Sequence, residues 1–346
     1  MAYSTISKPA LHFNTKLYTG TGSSNAISGV GFQPDWTWIK DRDNSTAQLL
    51  FDVVRGAGKR LQSNNDDAEA TNNQQLSSFD SDGFTVGTNG DANGNSANFV
   101  SWNWKAGGTG SANSDGDIAS TVSANTTAGF SVVKWTSNGS SSDTVGHGLG
   151  VAPKLVLYKR YDTTNNWYLV YKFVDGTLDY VHLNLTNGKA DLTLGTYGFT
   201  TSTTITNLGF GNSNSLLAYC FAEKTGYSKF GVFTGNGSAN GSFVYTGFKP
   251  AWVMFKEIVG TSPDNWFMYD NKRSPSNQTQ KYIRANLSNA EVDGSAGAID
   301  ILSNGFKLRT SDSGLNENGG TYIYMAFAEE PLVANVGTNG IPATAR

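Results

Sequence analysis

The sequence predicts an all-β protein: three tandem repeated β-sandwich (jelly-roll-like) domains between irregular N- and C-terminal arms. Three observations carry this. Charged residues make up 15% of the 346-residue chain, against roughly 25% in an ordinary globular protein, and Asn, Gly, Ser and Thr take their place. These residues favour turns and strands over helix interiors. The bulky apolar residues are largely aromatic or β-branched, which suits a pleated surface. One ordered series of short motifs also occurs three times.

The series opens with aromatic-Thr-x-x-Gly-Ser: "YTGTGS" at 18–23, "WTSNGS" at 135–140 and "FTGNGS" at 233–238. Each copy ends a strand and opens a turn, with Gly supplying positive φ. A phosphate cradle would need a helix after the loop, and nothing helical follows. About ten residues on comes "GFQPDWTWIK", "GVAPKLVLYK" or "GFKPAWVMFK", ending at Lys40, Lys159 and Lys256. Alternation after the proline reads as a strand with one buried face. Next stand "LLFD", "LVYK" and "FMYD", ending at Asp52, Lys172 and Asp270, then "RLQSN", "YVHLN" and "YIRAN", ending at Asn64, Asn184 and Asn286. "DGFTVG", "YGFTTS" and "NGFKLR" begin at Asp82, Tyr197 and Asn304. "SWNWKA", "AYCFAE" and "YMAFAE" close the units from Ser101, Ala218 and Tyr324.

The repeats run 13–107, 129–226 and 229–331, each the size of a small sandwich domain. Residues 108–128, small and polar, read as a flexible linker. Residues 1–12 and 332–346 read as arms without a core of their own, suited to lie on a neighbouring subunit, with Tyr3, Leu11 and His12 as candidate assembly contacts.

Composition excludes several classes. A net charge of −3 without a basic stripe argues against nucleic acid. The apolar runs are far short of a membrane span, and the N-terminus lacks a signal-peptide pattern. Cys220 is the only cysteine, so stability rests on packing or assembly.

Candidate chemistry is sparse. His12, His147 and His182 lack convergent partners, and His182 shares its repeat position with Gln62 and Arg284, a slot that reads as a solvated face. No histidine is assigned a catalytic or metal role. Asp91, Asn93 and Asn95 resemble the start of a calcium loop, but the glycine is misplaced and Trp102 stands where Glu belongs, so a polar turn is the reading. No cofactor and no metal are expected. Trp36, Trp252, Trp102 and Trp104 occupy strand positions that take other apolar residues and read as core. Trp167 and Trp266 follow Asn-rich turns and also read as packing. They are the better candidates for stacking on a sugar ring should the chain bind a glycan.

The string "YTGTGSSNAISGVGFQPDWTWIKDRD", with "VRGAGKRLQSNNDDAEA", "SFDSDGFTVG", "SWNWKAGG" and "SANTTAGFSVVKWTSNGSSSDTVGHGLGVAPKLV", resembles a domain of virion proteins from marine tailed phages, cyanophages among them. The resemblance covers repeats one and two well, and repeat three through "GFKPAWVMFK" and "AFAE". Repeat two departs from it by lacking the tryptophan after Pro153. It implies a non-enzymatic structural protein on the virion surface, of head-decoration or tail-fibre type, synthesised in the host cytoplasm. The expected partners are other capsid or tail proteins and copies of itself, a homotrimer first. The alternatives are a host-surface glycan-binding module and, behind it, a glycan depolymerase.

Overall fold

The computed structural model describes residues 4–193, 199–261, 263–336 and 339–342. Tyr3 and Tyr197 lie outside them. The chain is 46% strand and 4% helix, in antiparallel sheets.

One strand order recurs. In repeat one, Phe13–Thr19, Asn98–Trp104, Trp36–Asp41, Leu49–Asp52, Lys59–Gln62 and Ala70–Thr71 lie side by side. In repeat three the order is Ser228–Thr234, Thr321–Pro331, Phe248–Val259, Phe267–Asp270, Lys281–Arg284 and Val292–Asp293. Repeat two follows it with Phe130–Asn138, Asn212–Phe221, Leu155–Arg160, Trp167–Tyr171, Asp179–His182 and Ala190–Asp191, and adds Ser120–Asn125 and Ser111–Asn113 at the edge. Those two strands overturn the linker: in "STVSAN", Ser120, Val122 and Ser123 are buried, and the segment pairs along Phe130–Asn138. Smaller sheets back the large ones: Asn25–Ser28, Gly83–Val86 and Leu76–Asp80 in repeat one, and Phe243–Tyr245, Gly305–Leu308 and Ile299–Leu302 in repeat three. In repeat two, Thr144–Gly146 pairs with Thr204–Thr206.

The strands after the prolines are buried on both faces, not one. In Trp36–Asp41 every residue is buried. Ile39 faces an apolar cluster with Phe51, Phe84 and Phe99 from its own repeat. Trp36 and Trp38 face a second cluster that all three repeats share, with Trp104, Phe221, Trp252 and Phe327. Trp36 stacks on Tyr219 of repeat two at 4.4 Å between centroids, and Trp104 meets Trp252 of repeat three edge-on at 5.6 Å. A small apolar void lies between Trp36, Leu157, Leu169, Trp252 and Met325, drawn from all three repeats. Pro250 departs from the expected placement: it lies inside Phe248–Val259, where the register with Thr321–Pro331 shifts, a bulge being where a strand tolerates a residue without N–H.

Register fixes which positions correspond. Trp36, Leu155 and Trp252 pair with Trp104, Phe221 and Phe327, and on the other side with Asp52, Tyr171 and Asp270. The position of Asp52 and Asp270 is therefore held in repeat two by Tyr171, not Lys172.

Neither arm is bare. Ser4, Ile6 and Pro9 are buried, and Ile6 joins the shared cluster. The turn Pro9–Leu11 packs on Thr321–Pro331 of the same chain. Of the three arm candidates, Leu11 is 46% exposed, while His12 is half-buried against Tyr227 and Asn125. Beyond residue 331, Val333–Val336 pairs with Asn339–Pro342 as a hairpin.

Candidate functional site

Trp167 and Trp266 are fully buried, which removes them as glycan platforms. The position before Leu49, Tyr168 and Phe267 holds Gln48, Trp167 and Trp266, and each backbone N–H donates to an equivalent asparagine Oδ1, of Asn64, Asn184 and Asn286. Their side chains reach into the next repeat. Trp167 Nε1 donates to the Gln62 carbonyl at 2.8 Å, Trp266 Nε1 to that of His182 at 2.9 Å, and Gln48 Nε2 to that of Arg284 at 3.0 Å. Repeat two thus donates to one, three to two, and one to three. The slot of Gln62, His182 and Arg284 is half-buried. It is a seam, not the solvated face its variable side chains suggested.

A second ring of bonds follows the same cycle through the backbone. Glu69 N–H donates to Tyr161 C=O at 2.8 Å, Lys189 to Ile258 at 2.8 Å, and Glu291 to Arg42 at 2.9 Å. At the last seam Arg42 also makes a bidentate pair with Glu291, at 2.9 and 2.8 Å. Two of the three repeat lysines serve these seams. Lys159 Nζ donates to the Asp66 carbonyl and Lys256 Nζ to that of Thr186, each at 2.8 Å. Lys40 turns back to Asp41 and Asn44. Burial pulls the Lys40 and Lys159 ammonium groups down to about 8 and that of Lys256 to about 7.

Buried acids mark two seams. Asp52, fully buried, accepts from Arg55 Nε at 2.6 Å and from Tyr219 OH of repeat two at 2.9 Å. Asp270, paired with Arg273, accepts from Trp102 Nε1 of repeat one at 3.1 Å. At the third seam the corresponding positions are Tyr171 and Met325, so acid and donor are replaced together.

The glycine motifs are tied down by fully buried asparagines. Asn93 Nδ2 donates to the carbonyl of Ser23, Asn207 Nδ2 to that of Ser140 and Asn316 Nδ2 to that of Ser238. Gly22, Gly139 and Gly237 have φ of +66°, +84° and +64°. Asn93 is thereby committed to a turn, not free to ligate calcium. The turn-tying role of these asparagines escaped the sequence reading, which weighed Asn93 only as a calcium-loop residue, although "DANGN" at 91–95 and "GLNEN" at 314–318 share an x-Asn-x-Asn pattern that points to two of them.

The histidines are bound up in the fold. His147 is buried, its Nδ1 accepting from Leu149 N–H, and burial lowers its pKa. His182 Nδ1 faces the Trp167 carbonyl, with the ring edge-on to Tyr168. Asp175, Asp179 and Asp191 bring carboxylates within 4.8 Å of one another, but Lys189 Nζ stands among all three, so an ammonium occupies that place.

A concave surface at the junction of repeats two and three is lined by Glu223, Thr225, Ser228, Lys229, Tyr245 and Thr246. Tyr245 is 57% exposed, and Phe243, two residues along the same edge strand, 45%. No helix among the described residues is long and apolar enough to cross a membrane.

Comparison with known proteins gives one match. A domain of unknown function, DUF7483, matches residues 8–331, spanning all three repeats and the last residues of the first arm. No curated protein and no solved structure matches. With the match extending over most of its length, the chain belongs to the DUF7483 family.

Proposed function

We propose that the chain is a non-catalytic structural protein of a phage virion, an outer-surface appendage that attaches to capsid or tail proteins. The sequence resemblance to marine phage virion proteins suggests the setting. The observation that carries the reading is the closed ring of seams: three repeats bury their aromatic faces against one another and turn their smaller sheets away from the shared core. We read each repeat as a β-sandwich domain, its own apolar cluster lying between the large sheet and the small one. The three repeats form a threefold-like ring within one chain, and we read a single copy as a threefold-like platform for attachment. Mass spectrometry of density-purified particles from the virus that encodes the chain tests this. A stoichiometric component is expected, and its absence from the particles refutes the reading.

A second reading is favoured by Tyr245 and Phe243, which present aromatic surface beside a polar hollow, as sugar-binding sites do. Tyr245→Ala is then expected to abolish retention on host-surface polysaccharide while the melting temperature stays the same. Tryptophan fluorescence would not report such binding, since none of the eight tryptophans exceeds 4% exposure.

A further inference from the structure

Repeat three holds a buried carboxylate without a donor. Glu257 is 1% exposed, and among the described residues no N–H or hydroxyl group donates to either of its carboxylate oxygens. It faces a second carboxylate, that of Glu317. A Cβ at Gly260 would stand 1.7 Å from Glu257 Oε1 and 2.4 Å from Glu317 Oε2, so the two oxygens are separated by no more than the sum of those distances. Gly320 closes from the other side, where a Cβ would lie 2.6 Å from Glu257 Oε1. Asp264 adds to the negative potential at Glu257, and Asp312 to that at Tyr322 beside it. The adjacent cation, Lys256, spends its ammonium on the carbonyls of Thr186 and Asp264.

The other repeats supply an internal control. The position of Glu257 corresponds to Asp41 and Arg160. Asp41 accepts from the N–H groups of Asp43 and Asn44, and Arg160 pairs with Asp162. Where Glu317 stands, repeat one has Gly94. Among the described residues, repeat three alone sets two glutamates together and leaves the buried one facing a carboxylate in place of a donor. Burying a carboxylate without partners is costly, and two adjacent carboxylates cannot both stay ionised and unaccompanied.

We propose that Glu257 and Glu317 hold a hard divalent cation of the calcium class. Calcium takes carboxylate oxygens at about 2.3–2.6 Å in flexible geometry, and two oxygens as close as these can share one ion. Glu317 also accepts from Thr261 N–H at 2.9 Å, which fixes its carboxylate toward Glu257. Without the ion, burial and Glu317 push the Glu257 carboxyl up to about 8. The alternative occupant is a single shared proton.

Terbium luminescence separates the two. Tyr322 OH accepts from the Glu317 N–H at 2.8 Å, placing a sensitising ring at the site. Excitation of the full chain is expected to give saturable terbium emission that calcium displaces, together with a rise of a few degrees in Tm in millimolar calcium. Both effects are expected to vanish in Glu317→Gln and Glu257→Gln and to persist in Asp175→Asn, which alters the other acidic cluster. Glu317 is only half-buried, so Glu317→Gln keeps the test open should Glu257→Gln fail to fold. Absence of saturable emission and of any calcium effect overturns the proposal and leaves a shared proton. Emission and calcium stabilisation that persist in folded Glu317→Gln also overturn it.

Discussion

The seam between repeats three and one decides whether the ring is closed, because nothing in the chain order forces those repeats to touch. Arg42 and Glu291 are 249 residues apart and form a bidentate pair, with side chains 16% and 9% exposed. Exposed pairs couple by about 0.2–1 kcal/mol, and breaking a fully buried pair costs about 3–5 kcal/mol. This pair is nearly buried and fork-shaped, which strengthens it, but Glu291 keeps a second partner, Arg273, at 3.3 Å. A coupling of about 1–2 kcal/mol is the consequence, within the range measured for contacting residues. Urea unfolding of the native protein, Arg42→Ala, Glu291→Ala and the double variant gives this number as a double-mutant cycle. The same cycle in 1 M NaCl should show a smaller coupling, since screening weakens a pair with an exposed edge. Single effects that simply add, with coupling below about 0.3 kcal/mol, would mean that the two repeats do not meet and that the ring is open.

Three further outcomes follow from the same geometry. Trp266→Phe keeps most of the packing but strands the His182 carbonyl, and should cost about 1–3 kcal/mol of unfolding free energy, read by urea titration. Asn316→Ala should free the 233–238 turn, seen as faster amide exchange there than in the equivalent turn at 18–23, with a loss of about 1–3 kcal/mol for the carbonyls left unpaired. Lys159 has a folded pKa near 8 against an ordinary 10.5. The unfolded chain therefore binds more protons between those values, and stability should rise with pH across that window. Lys159→Met should make the rise shallower in a series of urea titrations, with Lys40 and Lys256 supplying what remains.

Much of the fold was legible because its signals are local. The turn glycines, the prolines and the period-two alternation each sit inside one repeat, and their threefold recurrence made the strands visible. What failed to show depends on surfaces from elsewhere in the chain. Trp167 and Trp266 look like strand starts beside loops, yet the carbonyls that receive their indoles belong to another repeat. Lys40 and Lys159 fall within one residue of their strand ends while the third strand runs on past Lys256 to Val259, and the burial of all three follows from a second covering face that no single repeat reveals. The segment 108–128 passed for a linker because small polar residues and alanine dominate it, while Ile118 and Val122 are its two bulky buried side chains. Glu257 was invisible as a candidate for a related reason: its partner lies sixty residues away, and its repeat counterparts, Asp41 and Arg160, find their partners within a few residues of themselves.

The paired replacement of Asp52 and Tyr219 by Tyr171 and Met325 at another seam has a consequence for gene architecture. Each junction carries its own lock, so the copies are not interchangeable parts. A circular permutant that starts at repeat two or three keeps every junction and should fold. A transposition that exchanges repeats two and three would set Asp52 against Met325, a buried charge facing a thioether, and Tyr171 against Trp102. Recombination among these copies is therefore tolerated as rotation and penalised as shuffling, which would preserve the order of the three copies once their seams had diverged.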